Sequence, residues 1–257
     1  VATRPLGSSE VPAKMLGMEQ RRLGGLTVWA GGGDDRKAGG DGPAIVLCHG
    51  FGATGDDLVA LHRVIEVDRS TRWFFPEAPL EIDFGGGQSG RAWWPIDMER
   101  LMMMQARGEP RLLAQETPAG MAEARARLEG VLAELEADHR VVRTRTLLGG
   151  FSQGAMLATE IVLHAADRPF AGLIALSGAL LCEDRWRPAG KASGPNIHAV
   201  VSHGRRDPIL PFGSGEALRD LLNESGASVR FIEHGGGHEI PPAALAGVAG
   251  LARDRLA

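Results

Sequence analysis

The sequence predicts an α/β fold, a mainly parallel central sheet with helices on both faces. Three observations predict it. Short runs rich in β-branched and apolar residues recur along the chain, separated by segments of helical period. Several of these runs, such as Ile45-Val46-Leu47, are apolar at consecutive positions, which suits strands covered on both sides. The length, 257 residues, is enough for one large core, so residues 1–257 are expected to form a single domain.

Strands are expected at Leu26 to Ala30, Ala44 to His49, Arg72 to Phe75, Thr144 to Phe151, Ala171 to Ser177, His198 to His203 and Ser228 to His234. Between them, Met121, Ala124, Leu128, Val131, Leu132 and Leu135 fall on one face of a helix, with Glu123 and Arg127 one turn apart on the other. Further helices are expected from Asp56 to Glu66, Gln153 to Ala166, Gly215 to Ser225 and Pro242 to Leu256. Two stretches break the rhythm. Gly31 to Pro43 holds six glycines and reads as a mobile surface loop. Residues 79–118 are far longer than a usual strand-to-helix connection, yet Trp93-Trp94-Pro95 and Met102-Met103-Met104 give them apolar bulk that a disordered linker lacks. An ordered excursion is expected there.

Composition narrows the function. With 44% hydrophobic and 23% charged residues the chain is ordinary for a globular protein, and a net charge of -4 offers no basic surface, so no nucleic-acid partner is expected. Cys48 and Cys182 are too few for a disulfide framework and read as free core thiols. No apolar stretch approaches the roughly 18 to 20 residues of a transmembrane helix. A cytoplasmic location is expected, with removal of a leader before Val1 left open.

The chemistry starts at Gly150-Phe151-Ser152-Gln153-Gly154, a Gly-x-Ser-x-Gly turn placed between an expected strand and an expected helix. In a chain with 36 glycines such a pentapeptide arises by chance in roughly one sequence in five, so the strand-to-helix setting carries more than the motif. There, a sharp turn exposes the serine hydroxyl, and the helix start adds N–H groups where negative charge develops. Serine is unreactive without a base, and the base needs an orienting carboxylate. Both should follow in the order Ser, Asp, His, on loops after strands. Asp207, in the turn after Val200-Val201-Ser202-His203-Gly204, is the expected carboxylate. His238, in Gly235-Gly236-Gly237-His238, is the expected base, with His234 at the strand end as its rival. His203 is expected to brace the aspartate's turn. The oxyanion hole is expected from the N–H of Gln153 and that of Phe51, in the loop His49-Gly50-Phe51-Gly52 after the strand Ala44 to His49.

These four motifs, His49-Gly50-Phe51-Gly52, Gly150-Phe151-Ser152-Gln153-Gly154, His203-Gly204 with Asp207-Pro208, and Gly237-His238, occur in order over about residues 44 to 240. Together they resemble the phospholipase/carboxylesterase family, which includes acyl-protein thioesterases. The resemblance implies an esterase of the α/β-hydrolase fold that needs no cofactor, with Ser152, Asp207 and His238 as triad and Phe51 and Gln153 as oxyanion donors.

Other signals carry less. Gly85 to Gly90 has the spacing of a phosphate loop but continues Arg91-Ala92 where Lys and Ser or Thr are required. His234 and His238 stand four apart, but the glycines between them oppose the helix such a metal site needs, so no metal is expected. Trp93, Trp94 and Met102 are candidates for the wall of an acyl pocket. The expected reaction is hydrolysis of small-molecule carboxylic esters through an acyl-enzyme, with thioesters or lysophospholipids as alternative substrates of the same triad. A non-catalytic binding module is the remote alternative. Because His238 must be neutral to act as base, the rate is expected to fall as pH drops through roughly 6 to 7.

Overall fold

All seven runs expected as strands form strands, and all seven lie in one sheet. The computed structural model describes residues 17–106 and 110–257. In chain order the strands are β1 (Glu19–Leu23), β2 (Leu26–Gly33), β3 (Lys37–Gly39), β4 (Ala44–Cys48), β5 (Arg72–Pro76), β6 (Leu80–Gly85), β7 (Gln88–Ala92), β8 (Thr146–Phe151), β9 (Gly172–Leu176), β10 (His198–Gly204) and β11 (Ser228–His234). The helices are α1 (Leu61–Val64), α2 (Met98–Ala106), α3 (Pro110–Gln115), α4 (Met121–His139), α5 (Gln153–Leu163), α6 (Glu183–Ser193), α7 (Phe212–Glu224) and α8 (Pro242–Leu256). The main sheet has nine strands in the order β1-β2-β5-β4-β8-β9-β10-β11, with β3 on β2, while β6 and β7 form a separate hairpin. β1 and β2 enter antiparallel, and every pair from β5 through β4, β8, β9, β10 and β11 is parallel.

The consecutive apolar residues follow from burial on both faces. Val46 and Cys48 of β4 join a core with Leu148, Ala175 and Val201, closed by Leu128 and Leu132 of α4, Leu157 and Ile161 of α5 and Leu218 of α7. Ile45 and Leu47, on the opposite pleat, join Trp73, Leu147, Ile174 and Val200 under Val248 and Leu251 of α8. This is the α/β-hydrolase architecture. The six apolar residues expected on one face of α4 are all buried, and the helix ends at Arg140, whose left-handed backbone returns its N–H to the carbonyl of Leu135.

Two expectations need correction, and one helix was not expected. The glycine-rich stretch 31–43 is no free loop: Gly31 to Gly33 continue β2, Lys37–Gly39 form β3, and the buried Arg72 guanidinium donates to the Gly42 carbonyl at 2.9 and 2.6 Å. The helix expected from Asp56 to Glu66 is mostly a series of tighter turns, because the N–H groups of Asp57, Val59 and Leu61 bond three residues back and only Leu61–Val64 close as α-helix. The segment Glu183–Ser193 is helical despite Pro188 and Gly190, anchored by buried Trp186, whose Nε1–H donates to Glu160 at 2.5 Å. The excursion at 79–118 is ordered where described, as the β6–β7 hairpin followed by α2 and α3.

Because β4, β8, β9, β10 and β11 run parallel, the loops after them emerge at one edge of the sheet. That edge gathers His49, Ser152, Ser177, Asp207 and His238.

Candidate active site

Ser152 joins β8 to α5 with φ 53° and ψ −119°, a region that side-chain-bearing residues rarely enter. Its N–H is fixed to the Leu176 carbonyl at 2.8 Å, and its carbonyl accepts the N–H groups of Ala155 and Met156 in the first turn of α5. The flanking glycines are required by close approach. A Cβ on Gly150 would lie 2.3 Å from the carbonyl oxygen of Cys48, and one on Gly154 would lie 2.1 Å from the same oxygen. The elbow can therefore press onto the end of β4 only where both positions lack a side chain.

The loops after β10 and β11 bring Asp207 and His238 together. Asp207 Oδ1 accepts the N–H groups of Ile209 and Leu210 at 2.8 and 2.9 Å, and Oδ2 lies 2.7 Å from His238 Nδ1. Burial alone would raise the Asp207 carboxyl, but donors from His203, His238 and the Leu210 backbone overcome it and hold the group well below the usual carboxylate range. The His238 ring stands 4.7 Å from that of Phe151, the residue before Ser152. The rival His234 is not on that carboxylate: its Nε2 is buried without a hydrogen-bond partner, its Nδ1 is 4.0 Å from Glu239, and burial lowers its pKa. Ser177, at φ 47°, was not expected in the site. Its hydroxyl donates to the Glu239 carbonyl at 3.3 Å and ties the His238 loop to the end of β9.

The loop after β4 runs alongside Ser152. A Cβ on Gly50 would lie 3.3 Å from that of Ser152. His49 fixes this loop. Its Nε2 accepts the N–H of Ala78 at 3.0 Å, so its proton sits on Nδ1, which donates to the Gly50 carbonyl at 2.8 Å. Burial lowers the His49 pKa to about 4, keeping the ring neutral. With the Gly50 carbonyl held on one side of a trans peptide, the N–H of Phe51 points to the other. Gln153, at the first position of α5, has an N–H with no acceptor within the helix.

The excursion braces this loop. The Arg91 carbonyl accepts the N–H of Gly52 at 2.8 Å, and the Arg91 N–H donates to the Ala53 carbonyl at 2.9 Å, a short ladder between β7 and the loop. The Gln153 side chain clasps the same segment: Oε1 accepts the Trp93 N–H and Nε2 donates to the Trp94 carbonyl, both at 2.8 Å. Trp93 Nε1–H adds a bond to the His49 carbonyl at 3.0 Å. Trp93 and Trp94 are 1% and 2% exposed, their indoles packed in the core, and they meet the site through backbone and ring N–H groups. Met102 is 56% exposed on α2 with no bond to the site, and the Met104 side chain lies outside the described residues. The exposed apolar residue beside the loop is Phe84 of β6, 53% accessible, whose ring would come within 2.9 Å of a Cβ on Gly52.

Among the described residues no cluster of His, Cys, Asp and Glu could hold a metal, and no helix is long and apolar enough to cross a membrane. Both cysteines are free and buried, and burial pushes the Cys48 thiol far up.

A family model described as Phospholipase/Carboxylesterase matches residues 36–250. Acyl-protein thioesterase 1 of Neurospora crassa is 28% identical over 208 residues, 76% of this chain and 79% of that protein. Among solved structures, esterase PE8 superposes with a TM-score of 0.72 at 27% identity, covering 90% of this chain and 99% of that one. A carboxylesterase from Mesorhizobium loti shares the fold, with a TM-score of 0.68 at 16% identity over 91% of this chain and 97% of its own.

Proposed function

We propose that this chain, a serine hydrolase that belongs to the phospholipase/carboxylesterase family, cleaves carboxylic esters with Ser152 as nucleophile, His238 as base and Asp207 as its orienting carboxylate. The observation that carries the reading is the 2.7 Å bond between His238 Nδ1 and Asp207 Oδ2, beside a serine held at φ 53°. With Nδ1–H given to Asp207, Nε2 is the bare nitrogen that takes the Ser152 proton. The hydroxyl oxygen attacks the ester carbonyl, and the oxyanion is met by the N–H groups of Phe51 and Gln153. His238 returns the proton to the departing alcohol. Water, deprotonated by the same imidazole, then attacks the acyl carbon, and His238 passes that proton to Ser152 Oγ as the acid leaves. Phe84, exposed against the oxyanion loop, is where the apolar part of a substrate meets the enzyme.

An acyl thioester suits the same groups, and the likeness to an acyl-protein thioesterase favours including it. The experiment is hydrolysis of p-nitrophenyl esters of increasing acyl length beside an acyl thioester, by the native chain, Ser152→Ala and Phe84→Ala. Ser152→Ala is expected to lose on the order of 10⁵ in kcat and to give no fluorophosphonate adduct. Phe84→Ala is expected to change the preferred length. Activity surviving in Ser152→Ala would overturn the reading.

A further inference from the structure

We propose that His203 is a positioning residue: its Nε2–H occupies a second side of Asp207 Oδ2 and limits how strongly Asp207 holds the proton of His238. The proposal rests on the triad reading above. His203, on β10, is completely buried. Its Nε2 lies 3.0 Å from the Leu210 carbonyl and 3.4 Å from Asp207 Oδ2. A carbonyl only accepts, so Nε2 carries the hydrogen and shares it between the two oxygens.

The opposite nitrogen is kept bare by its surroundings. Nδ1 is buried without a hydrogen-bond partner among the described residues, and α7 passes against it at Gly215, where a Cβ would lie 2.5 Å away. The Phe212 ring meets the imidazole edge-on at 6.1 Å. On α7, the buried Ser214 hydroxyl makes no hydrogen bond among the described residues, and Arg219 pairs with Glu216 at 3.5 Å and with Asp220 at 2.8 Å. The other chargeable neighbours are His234 of β11, Glu239 beside His238, and the exposed Arg205–Glu233 pair at 2.6 Å.

Oδ2 thus serves two imidazole N–H groups, while Oδ1 serves two backbone N–H groups. Each donor spreads the carboxylate charge. Without the His203 donor, Asp207 would remain ionised but attract the Nδ1 proton of His238 more strongly. Protonated His238 would then be better stabilised, and the base would be lost at a higher pH. The acid limb of kcat/KM therefore moves upward. A residue that merely filled space would lower the rate at every pH and leave the limb in place.

The test compares pH profiles of kcat/KM on a p-nitrophenyl ester for the native chain, His203→Leu, His203→Gln and Gly215→Ala. In His203→Leu the plateau is expected to fall about tenfold, with KM within about twofold, and the acid limb to rise by about half a pH unit. His203→Gln, whose amide can donate near the Nε2 position, should bring the limb back toward the native pH. Gly215→Ala, whose methyl presses on the Nδ1 side and drives Nε2 toward Asp207, should move the limb downward instead. If His203→Leu does not fold, Gly215→Ala decides. A limb unmoved in the folded variants, or one that His203→Gln shifts as far as His203→Leu does, overturns the proposal. Failure of the triad reading is recognised separately, by activity in Ser152→Ala.

Discussion

The two halves of the proposed site are held by different kinds of bond. On the acid–base side, side chains hold side chains: Asp207 takes His238 and His203 on one oxygen and two backbone N–H groups on the other. On the oxyanion side, backbone largely holds backbone: Gly52 and Ala53 pair with Arg91, and the side chains that take part, His49, Gln153 and Trp93, bond mainly to main-chain groups. A half built from side chains is disabled by changing their chemistry. A half built from backbone is disabled by changing its shape.

The largest effect should therefore come from a change that keeps the shape and alters the chemistry. Asp207→Asn can retain the acceptor for Ile209 and Leu210, but its amide nitrogen cannot accept the Nδ1–H of His238. The imidazole then favours the other tautomer, whose Nε2 already bears a proton and cannot take the one on Ser152. A loss of roughly 10⁴ in kcat is expected, with KM and thermal stability close to native. A loss below tenfold would show that Asp207 is not the orienting carboxylate.

On the oxyanion side the decisive change adds a single methyl group. A Cβ on Gly90 would lie 2.1 Å from the Gly52 carbonyl oxygen, so Gly90→Ala must force β7 and the oxyanion loop apart. If that displaces the Phe51 donor, kcat should fall by about 10² to 10³ while fluorophosphonate still labels Ser152 slowly. Full activity in a folded Gly90→Ala would mean that the loop keeps its shape without the hairpin.

The same division explains what could be read from the sequence. The candidates Ser152, Asp207 and His238 could be named from the sequence because each is a chemically distinctive residue in a turn after an apolar strand, and strand order places those turns at one edge. The brace was not. It depends on Gly52 and Gly90 having no side chain and on amide groups that every residue carries. A signal for the hairpin existed in the alternation of Leu80, Ile82 and Phe84 before Gly85-Gly86-Gly87. The strand β1 carried no apolar signal, since Glu19, Gln20, Arg21 and Arg22 form a sheet edge that needs little burial. For Trp93 and Trp94, both buried, sequence gives the amphipathic character of an indole, but not which of its sides the chain covers.

The smallest effect is expected from removing the side chain at the very residue that carries the ladder. Arg91 pairs with Glu77 through its guanidinium at 3.6 Å, and both side chains are partly exposed, so the ion pair itself contributes no more than about 1 kcal/mol. Its two bonds to the oxyanion loop come from its backbone, which Arg91→Ala leaves in place. Arg91→Ala should therefore change kcat by less than about twofold at moderate salt. A tenfold loss that salt mimics in the native enzyme would assign the hold on the loop to the Arg91 charge, and the contrast between the halves would fail at the residue where they should differ most.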